Sequence, residues 1–220
     1  MDIGENISEI KSSLPERVRL VAVTKTKPPE IIEKAYRAGH KIFGENKVQE
    51  LLQKYEKLPK DIEWHFIGHL QSNKTKYIAP FVSMIHGIDS FKILKSVNKE
   101  AAKHGRVIPC LLQFHIARES TKFGLSEEEA FEILGSGTFA VMKNVRIAGV
   151  MGMATFTDDT SLVRSEFRSL RTIFEKLKDR YFSEDPSFRE ISMGMSDDYD
   201  LAVEEGCTIV RIGSKIFGLR

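Results

Sequence analysis

Cysteine, tryptophan and charge imbalance are all scarce in this chain. Two cysteines and one tryptophan occur among 220 residues. Cys110 and Cys207 lie far apart in apolar surroundings, with no CxxC or metal-like spacing, which argues against a disulfide framework and a zinc site. Reduced, buried thiols are the expectation. The 33 Lys and Arg against 31 Asp and Glu leave a formal charge of +2, too little for a dedicated nucleic-acid binder. The basic spots at Lys74, Lys76 and Tyr77 and at Lys92 and Lys95 read as solvated helix faces. No apolar run approaches the ~18 residues that a bilayer span needs. The opening Met1-Asp2-Ile3-Gly4-Glu5 lacks a basic start followed by an apolar stretch, so neither export nor membrane embedding is expected, and the location expected is cytoplasmic. Internal repeats, low-complexity segments and linker-like composition are missing as well, so residues 1–220 are read as a single domain.

What the chain does contain is a rhythm. The 41% hydrophobic and 29% charged content suits one well-buried globular core. After an amphipathic helix near residues 3–14, short apolar runs alternate with stretches of helical period. The strand expectations are 19–24, 41–43, 63–67, 83–86, 108–115, 146–151, 190–192 and 209–212. Helices are expected near 29–38, 47–57, 72–79, 91–104, 126–134, 161–181 and 198–205, with Gly135-Ser136-Gly137-Thr138 as a loop. Eight strands with helices between successive members fit a closed (β/α)8 barrel better than the alternative, an open doubly wound sheet. At 220 residues the chain is short for such a barrel, which typically takes ~250, so little is expected to remain for a second domain or a lid.

Lys25 is the residue of most interest. It follows the apolar run Leu20-Val21-Ala22-Val23-Thr24, and side-chain alternation puts it on the face of Val21 and Val23. Pro28 and Pro29 forbid continuation of the strand. A lysine there is either a solvated amine or one held to capture a carbonyl group. In a barrel, ligands sit on the loops after the strands, with phosphate commonly after the seventh and eighth. Ser192-Met193-Gly194-Met195-Ser196-Asp197 and Arg211-Ile212-Gly213-Ser214 occupy those positions, and each supplies a glycine and a hydroxyl at a strand exit. Helix capping by Ser196 or Asp197 and a simple turn at Gly213 are the plainer readings. A phosphate compound with a carbonyl, held between Lys25 and these loops, would be a sugar phosphate or pyridoxal 5'-phosphate. Arg211 can point inward at the mouth opposite the first strand, either to face a pyridine nitrogen or to pair with an acid such as Glu45 or Asp89.

Several long motifs now share one resemblance. They are Val21-Ala22-Val23-Thr24-Lys25-Thr26-Lys27-Pro28, Phe43-Gly44-Glu45-Asn46 with Gln49-Glu50, and Trp64 to Lys74. They continue through Gly149-Val150-Met151-Gly152-Met153 and Ser192 to Asp198, and end at Val210 to Gly218. In this order they resemble the YggS/PROSC group of pyridoxal 5'-phosphate-binding proteins, the pyridoxal phosphate homeostasis proteins. The resemblance implies one barrel of the alanine racemase N-terminal type (fold type III), with an extra N-terminal helix. It implies pyridoxal 5'-phosphate as cofactor and Lys25 as the aldimine lysine. Asn46 would lie near the lysine and ring, Met153 against the ring, and Arg211 at the pyridine nitrogen. Ser192, Gly194, Met195, Ser196, Gly213 and Ser214 would surround the phosphate. Lys27 matches the motif but is assigned a supporting or solvent role. Gln113-Phe114-His115-Ile116 departs from the family's Gln-Val-Asn, which leaves His115 as either a pocket or a packed residue.

Racemisation needs acid/base groups on both faces of the cofactor adduct, and the resemblance implies a second base from a further domain in the racemases. No such motif is recognisable around Tyr36, Tyr55, Tyr77, Tyr181 or Tyr199. The expectation is a monomeric carrier that buffers, stores or delivers the cofactor, with apo-enzymes as transient recipients. The alternative is a low-activity racemase or lyase. His65 and His69 lack an HExxH pattern, so no metal is assigned. Met151, Met153, Met193 and Met195 are expected to fill the core or to touch the cofactor ring.

Overall fold

The computed structural model describes residues 2–118 and 123–218. Its centre is a closed barrel of parallel strands in chain order: β1 (Arg19–Val23), β2 (Ile42–Glu45), β3 (Glu63–Phe66), β4 (Met84–Ile88), β5 (Ile108–Gln113), β6 (Val145–Met151), β7 (Glu190–Ser192) and β8 (Ile209–Ile212). β8 pairs back onto β1 with Val21 beside Arg211, so the open sheet is excluded. Around it run α1 (Ile3–Ser13), α2 (Pro29–Arg37), α3 (Val48–Lys57), α4 (Thr75–Ile78), α5 (Phe91–Ala102), α6 (Glu127–Leu134), α7 (Gly137–Ala140), α8 (Thr160–Tyr181), α9 (Tyr199–Glu204) and α10 (Ser214–Phe217). No helix among the described residues is long and apolar enough to cross a membrane.

Local chemistry explains most element starts. Pro29 opens α2, where a missing N–H costs nothing. Ser126 and Glu129 form a reciprocal capping box at α6, and Asp159 accepts from the Ser161 and Leu162 N–H groups at α8. The stretch expected as a loop at Gly135 to Thr138 instead starts α7, because the Ser136 hydroxyl accepts from the Phe139 N–H. Strand ends shift too: β2 continues to Glu45, β4 runs from Met84 to Ile88, and β5 stops at Gln113.

The core has two compartments. The larger lies between barrel and helices and contains the fully buried Phe43, Trp64, Phe66, Ile32, Leu51, Leu94 and Phe167. The smaller fills the barrel with Val21, Met84, Leu111, Ala148, Met151 and Ile209, against which Ile42 and Met153 pack. Ala148 and Met151 have opposite parity, yet both face inward, because the β5–β6 register slips between Cys110 and Leu111. This bulge carries Met151 and Met153 to the interior at the strand exit.

Gly149 makes the bulge possible. Its φ is +152°, and a Cβ there would stand 1.8 Å from the Glu190 carbonyl oxygen. Gly149→Ala is therefore expected to cost about 2–4 kcal/mol of stability through backbone strain and displacement of β7. Urea denaturation checks this, and a loss under about 0.5 kcal/mol, the scale of an ordinary surface substitution, would refute it.

Candidate functional site

The C-terminal ends of all the strands open on one mouth, and Lys25 stands there in a turn just beyond β1. Its side chain is exposed, and among the described residues none hydrogen-bonds or ion-pairs with its amine. The turn is held from three sides. Lys27 N–H donates to the Thr24 carbonyl at 3.0 Å, and Thr26 N–H donates to Glu50 Oε1 at 3.2 Å. The Lys27 ammonium donates to the Phe217 and Gly218 carbonyls at 3.1 and 3.2 Å. That last contact gives Lys27 a structural task, tying the turn to the end of α10. Thr26 has φ +66°, a left-handed conformation that costs a β-branched residue about 1–3 kcal/mol.

Behind the turn lies a buried network between the barrel wall and α3. Glu45 Oε1 accepts from Lys54 Nζ and from Thr24 Oγ1, both at 2.5 Å, and Lys54 Nζ also donates to the Thr24 carbonyl at 2.8 Å. Glu45 is fully buried, and its Oε2 has no hydrogen-bond partner among the described residues. Burial therefore outweighs the Lys54 ammonium and pushes the Glu45 carboxyl up to about 7.

Arg211 faces the barrel interior, but it does not stand opposite Lys25. Closure makes β8 the neighbour of β1, and the register sets Arg211 beside Val21, about 13 Å down the strand direction from Lys25 at four residues' rise. Its guanidinium donates to Ser192 Oγ at 2.6 Å and to the Gly152 carbonyl at 3.1 Å. Neither acid named as a partner reaches it, because Glu45 is engaged by Lys54 and Asp89 by His69 at 2.7 Å. Burial lowers the guanidinium to about 10, still charged at neutral pH.

The loops after β7 and β8 meet: Gly213 N–H donates to Ser196 Oγ at 3.3 Å. Gly194 has φ +86°, and a Cβ there would be 2.6 Å from Ala202 Cβ, so only glycine lets α9 pack this close. Met195 is exposed, and its N–H is taken by the Asp198 carboxylate at 2.6 Å. Ser214 is exposed at the start of α10, whereas Ser196 is buried. Ser192 sits deeper than these, fully buried below the loops, with its hydroxyl engaged by Arg211 and by His86 at 3.0 Å. Asn46, at the exit of β2, carries a buried Oδ1 with no hydrogen-bond partner among the described residues. Met153 is half-buried against the interior cluster. His115 is exposed, which removes the packed alternative for it.

Sequence reasoning missed two groups. His86 sits in a continuous apolar run, where its inward parity with Met84 was the available signal. The Glu45–Lys54 pair joins strand to helix across nine residues, and such a pair carries no local pattern. His65 and His69, to which no metal was assigned, lie apart: His65 Nδ1 is 3.0 Å from His86 Nε2 inside the barrel, while His69 is on a loop with its ring stacked on Phe123.

A family model described as alanine racemase, N-terminal domain, matches residues 2–220. The chain is 39% identical over 203 residues to a pyridoxal phosphate homeostasis protein of Aquifex aeolicus (strain VF5), covering 92% of this chain and 87% of that protein. A protein of the same name from Vibrio alginolyticus is 36% identical over 233 residues, covering 99% and 97%. Among solved structures, PipY of Synechococcus elongatus PCC7942 with PLP bound superposes with a TM-score of 0.87 at 33% identity, covering 98% of this chain and 100% of that one. Alanine racemase from Bartonella henselae with covalently bound pyridoxal phosphate shares the fold at TM-score 0.72 and 14% identity, covering 99% of this chain and 58% of that one.

The Glu45 network has a pH signature. Because burial raises its carboxyl to about 7 in the folded protein against an ordinary value of 4.5, the native state binds more protons than the unfolded chain between these values. Stability should therefore fall as pH rises from about 4.5 to 7, and Glu45→Gln should flatten that slope. Denaturation midpoints of both proteins across the window check the sign, and parallel slopes would remove Glu45 as the cause.

Proposed function

The chain belongs to the pyridoxal phosphate homeostasis proteins of the alanine racemase N-terminal domain family, and from that premise we propose that it holds pyridoxal 5'-phosphate at Lys25 and takes part in keeping its cellular supply. One observation carries the reading. An amine with no partner among the described residues stands at the barrel mouth, while a buried, donor-only guanidinium faces the interior on the adjacent strand below it.

The residues present fit the cofactor. The cofactor, when bound, supplies an aldehyde that a lysine amine captures and a conjugated ring that absorbs near-visible light. Arg211 has five N–H groups and no acceptor, two of them used within the protein. It is suited to donate to an unprotonated ring nitrogen, which keeps the ring a weak electron sink. The unpartnered Asn46 Oδ1 supplies an acceptor beside the ring, and Met153 offers a soft apolar surface at its edge. Ser196, Ser214 and the Gly194, Met195 and Gly213 backbone would surround the phosphate. Ser192 supports Arg211 from beneath instead of reaching the phosphate.

Holding suits this site better than turnover. Lys25 is one group able to move a proton at the bound carbon, and an efficient racemase needs a second on the opposite face. The exposed Met195 and Phe156 on the mouth loops suit exchange with solvent and with apo-enzymes that take up the cofactor. The protein is read as a cytoplasmic monomer that buffers, stores or delivers.

Purified protein reconstituted with pyridoxal phosphate should show a near-visible absorption band that Lys25→Ala abolishes. A protein that stays colourless would sink the reading. Mixing loaded protein with an apo-enzyme dependent on this cofactor should activate it faster than an equal amount of free cofactor, and no acceleration would leave storage alone. Robust turnover of an amino acid, lost in Lys25→Ala, would move the assignment to a racemase or lyase.

A further inference from the structure

Below Arg211 the barrel axis is polar where aliphatic layers are usual. Four side chains from four strands touch in sequence. Arg211 Nη1 donates to Ser192 Oγ at 2.6 Å, Ser192 Oγ lies 3.0 Å from His86 Nδ1, and His86 Nε2 lies 3.0 Å from His65 Nδ1. All four residues are at most 4% exposed. His65 also lines a cavity of about 420 Å³ at the N-terminal mouth, together with Arg19, Glu63, Arg146 and Glu190. The chain thus runs from beneath the candidate cofactor pocket to the opposite end of the barrel.

One direction of its hydrogen bonds gives every donor along the chain an acceptor. A guanidinium has only donors, so Ser192 Oγ accepts from Arg211 and has its own proton to give. In that direction His86 Nδ1, the imidazole atom that touches it, accepts that proton. His86 then carries its proton on Nε2 and donates to His65 Nδ1, and His65 carries its proton on Nε2 at the cavity end. Both rings must be neutral for this to hold. Burial lowers His65 to about 3 and His86 well below its ordinary value, with Arg19 acting on both and Arg211 and His65 on His86. An unpaired polar group in this interior would cost about 1–3 kcal/mol, so each link secures the next.

We propose that Ser192, His86 and His65 form a one-way hydrogen-bond chain that positions Arg211 for the ring nitrogen of the cofactor, an inference that rests on the cofactor reading above. A long arginine side chain carries about 2 kcal/mol of rotamer entropy. The Gly152 carbonyl alone gives the guanidinium one anchor, and Ser192 gives it the second. With its hydroxyl proton given to His86, Ser192 turns its oxygen lone pairs to Arg211, and His86 takes that proton in the tautomer that His65 stabilises. These three are positioning residues, since none of them reaches the cofactor.

Nitrogen-15 magnetic resonance of the histidine rings in the cofactor-free protein tests the direction without any substitution. Near neutral pH, His65 and His86 should both be neutral with the proton on Nε2; a proton on Nδ1 of either ring, or a charged ring, overturns the proposal. The second arm compares Ser192→Ala, His86→Leu and His86→Gln with Arg211→Gln. Ser192→Ala and His86→Leu should each raise the dissociation constant for pyridoxal phosphate about tenfold, the scale of one lost hydrogen bond. Each should also move the near-visible band in the direction that Arg211→Gln moves it. His86→Gln, which can accept from Ser192, should restore part of both. If Arg211→Gln leaves band and affinity unchanged, the cofactor reading of Arg211 fails and takes the positioning role with it. If Arg211→Gln changes them while Ser192→Ala and His86→Leu do not, the cofactor reading stands and the chain is refuted.

Discussion

Closing eight parallel strands into a ring is the constraint from which the rest of this molecule follows. Parallel pairing brings every strand's carboxyl end to one side, so residues as distant in sequence as Lys25 and Gly213 share one mouth, with Arg211 below it. Closure also creates an axis that side chains must fill. Val21, Met84, Leu111, Ala148, Met151 and Ile209 fill part of it with apolar volume. Ser192, His86, His65 and Arg211 fill another part with polar groups, tolerable in a low-dielectric interior because they satisfy one another.

The mouth is held firmly from outside the barrel. Glu45, Lys54 and Thr24 lock the end of β1 to β2 and α3, and Lys27 latches the turn to the last helix. Such support lets Thr26 keep an unfavourable backbone conformation that the turn would otherwise relax. The lysine between these anchors remains exposed and without a partner among the described residues. A fixed base with an unencumbered amine is compatible with the carbonyl capture proposed for it.

Much of this was legible in the sequence because periodicity and punctuation are local. The alternation of apolar runs with helical stretches marked the barrel, Pro28 and Pro29 marked the exit after Lys25, and the glycines at 194 and 213 marked the loops. Strand ends were less legible: β2 and β4 run past their apolar cores because pairing with neighbouring strands, not composition, decides where a ladder stops. The short helices α7 and α10 rest on a single cap or turn and have no period to detect. The surroundings of Ser192 were not legible for a different reason. Its neighbours in sequence are loop residues, whereas its neighbours in space are His86 and Arg211, and only the barrel register brings those together. The same holds for the depth of Arg211, since alternation tells which way a side chain faces but not how far down the axis it sits.

The pairing of β1 with β8 sets a schedule as well as a shape. Arg19 to Ala22 lie beside Ile209 to Ile212, a contact between opposite ends of the chain that loop closure makes slow to form. During synthesis at about 5–20 residues per second, Lys25 is made early, while its neighbouring strand and the carbonyls that Lys27 grips come only with the final helix. For that interval the amine exists without its pocket. Newborn chains therefore carry Lys25 outside the turn that Thr24, Glu50 and the last helix hold, and the mouth takes shape only as the ring closes.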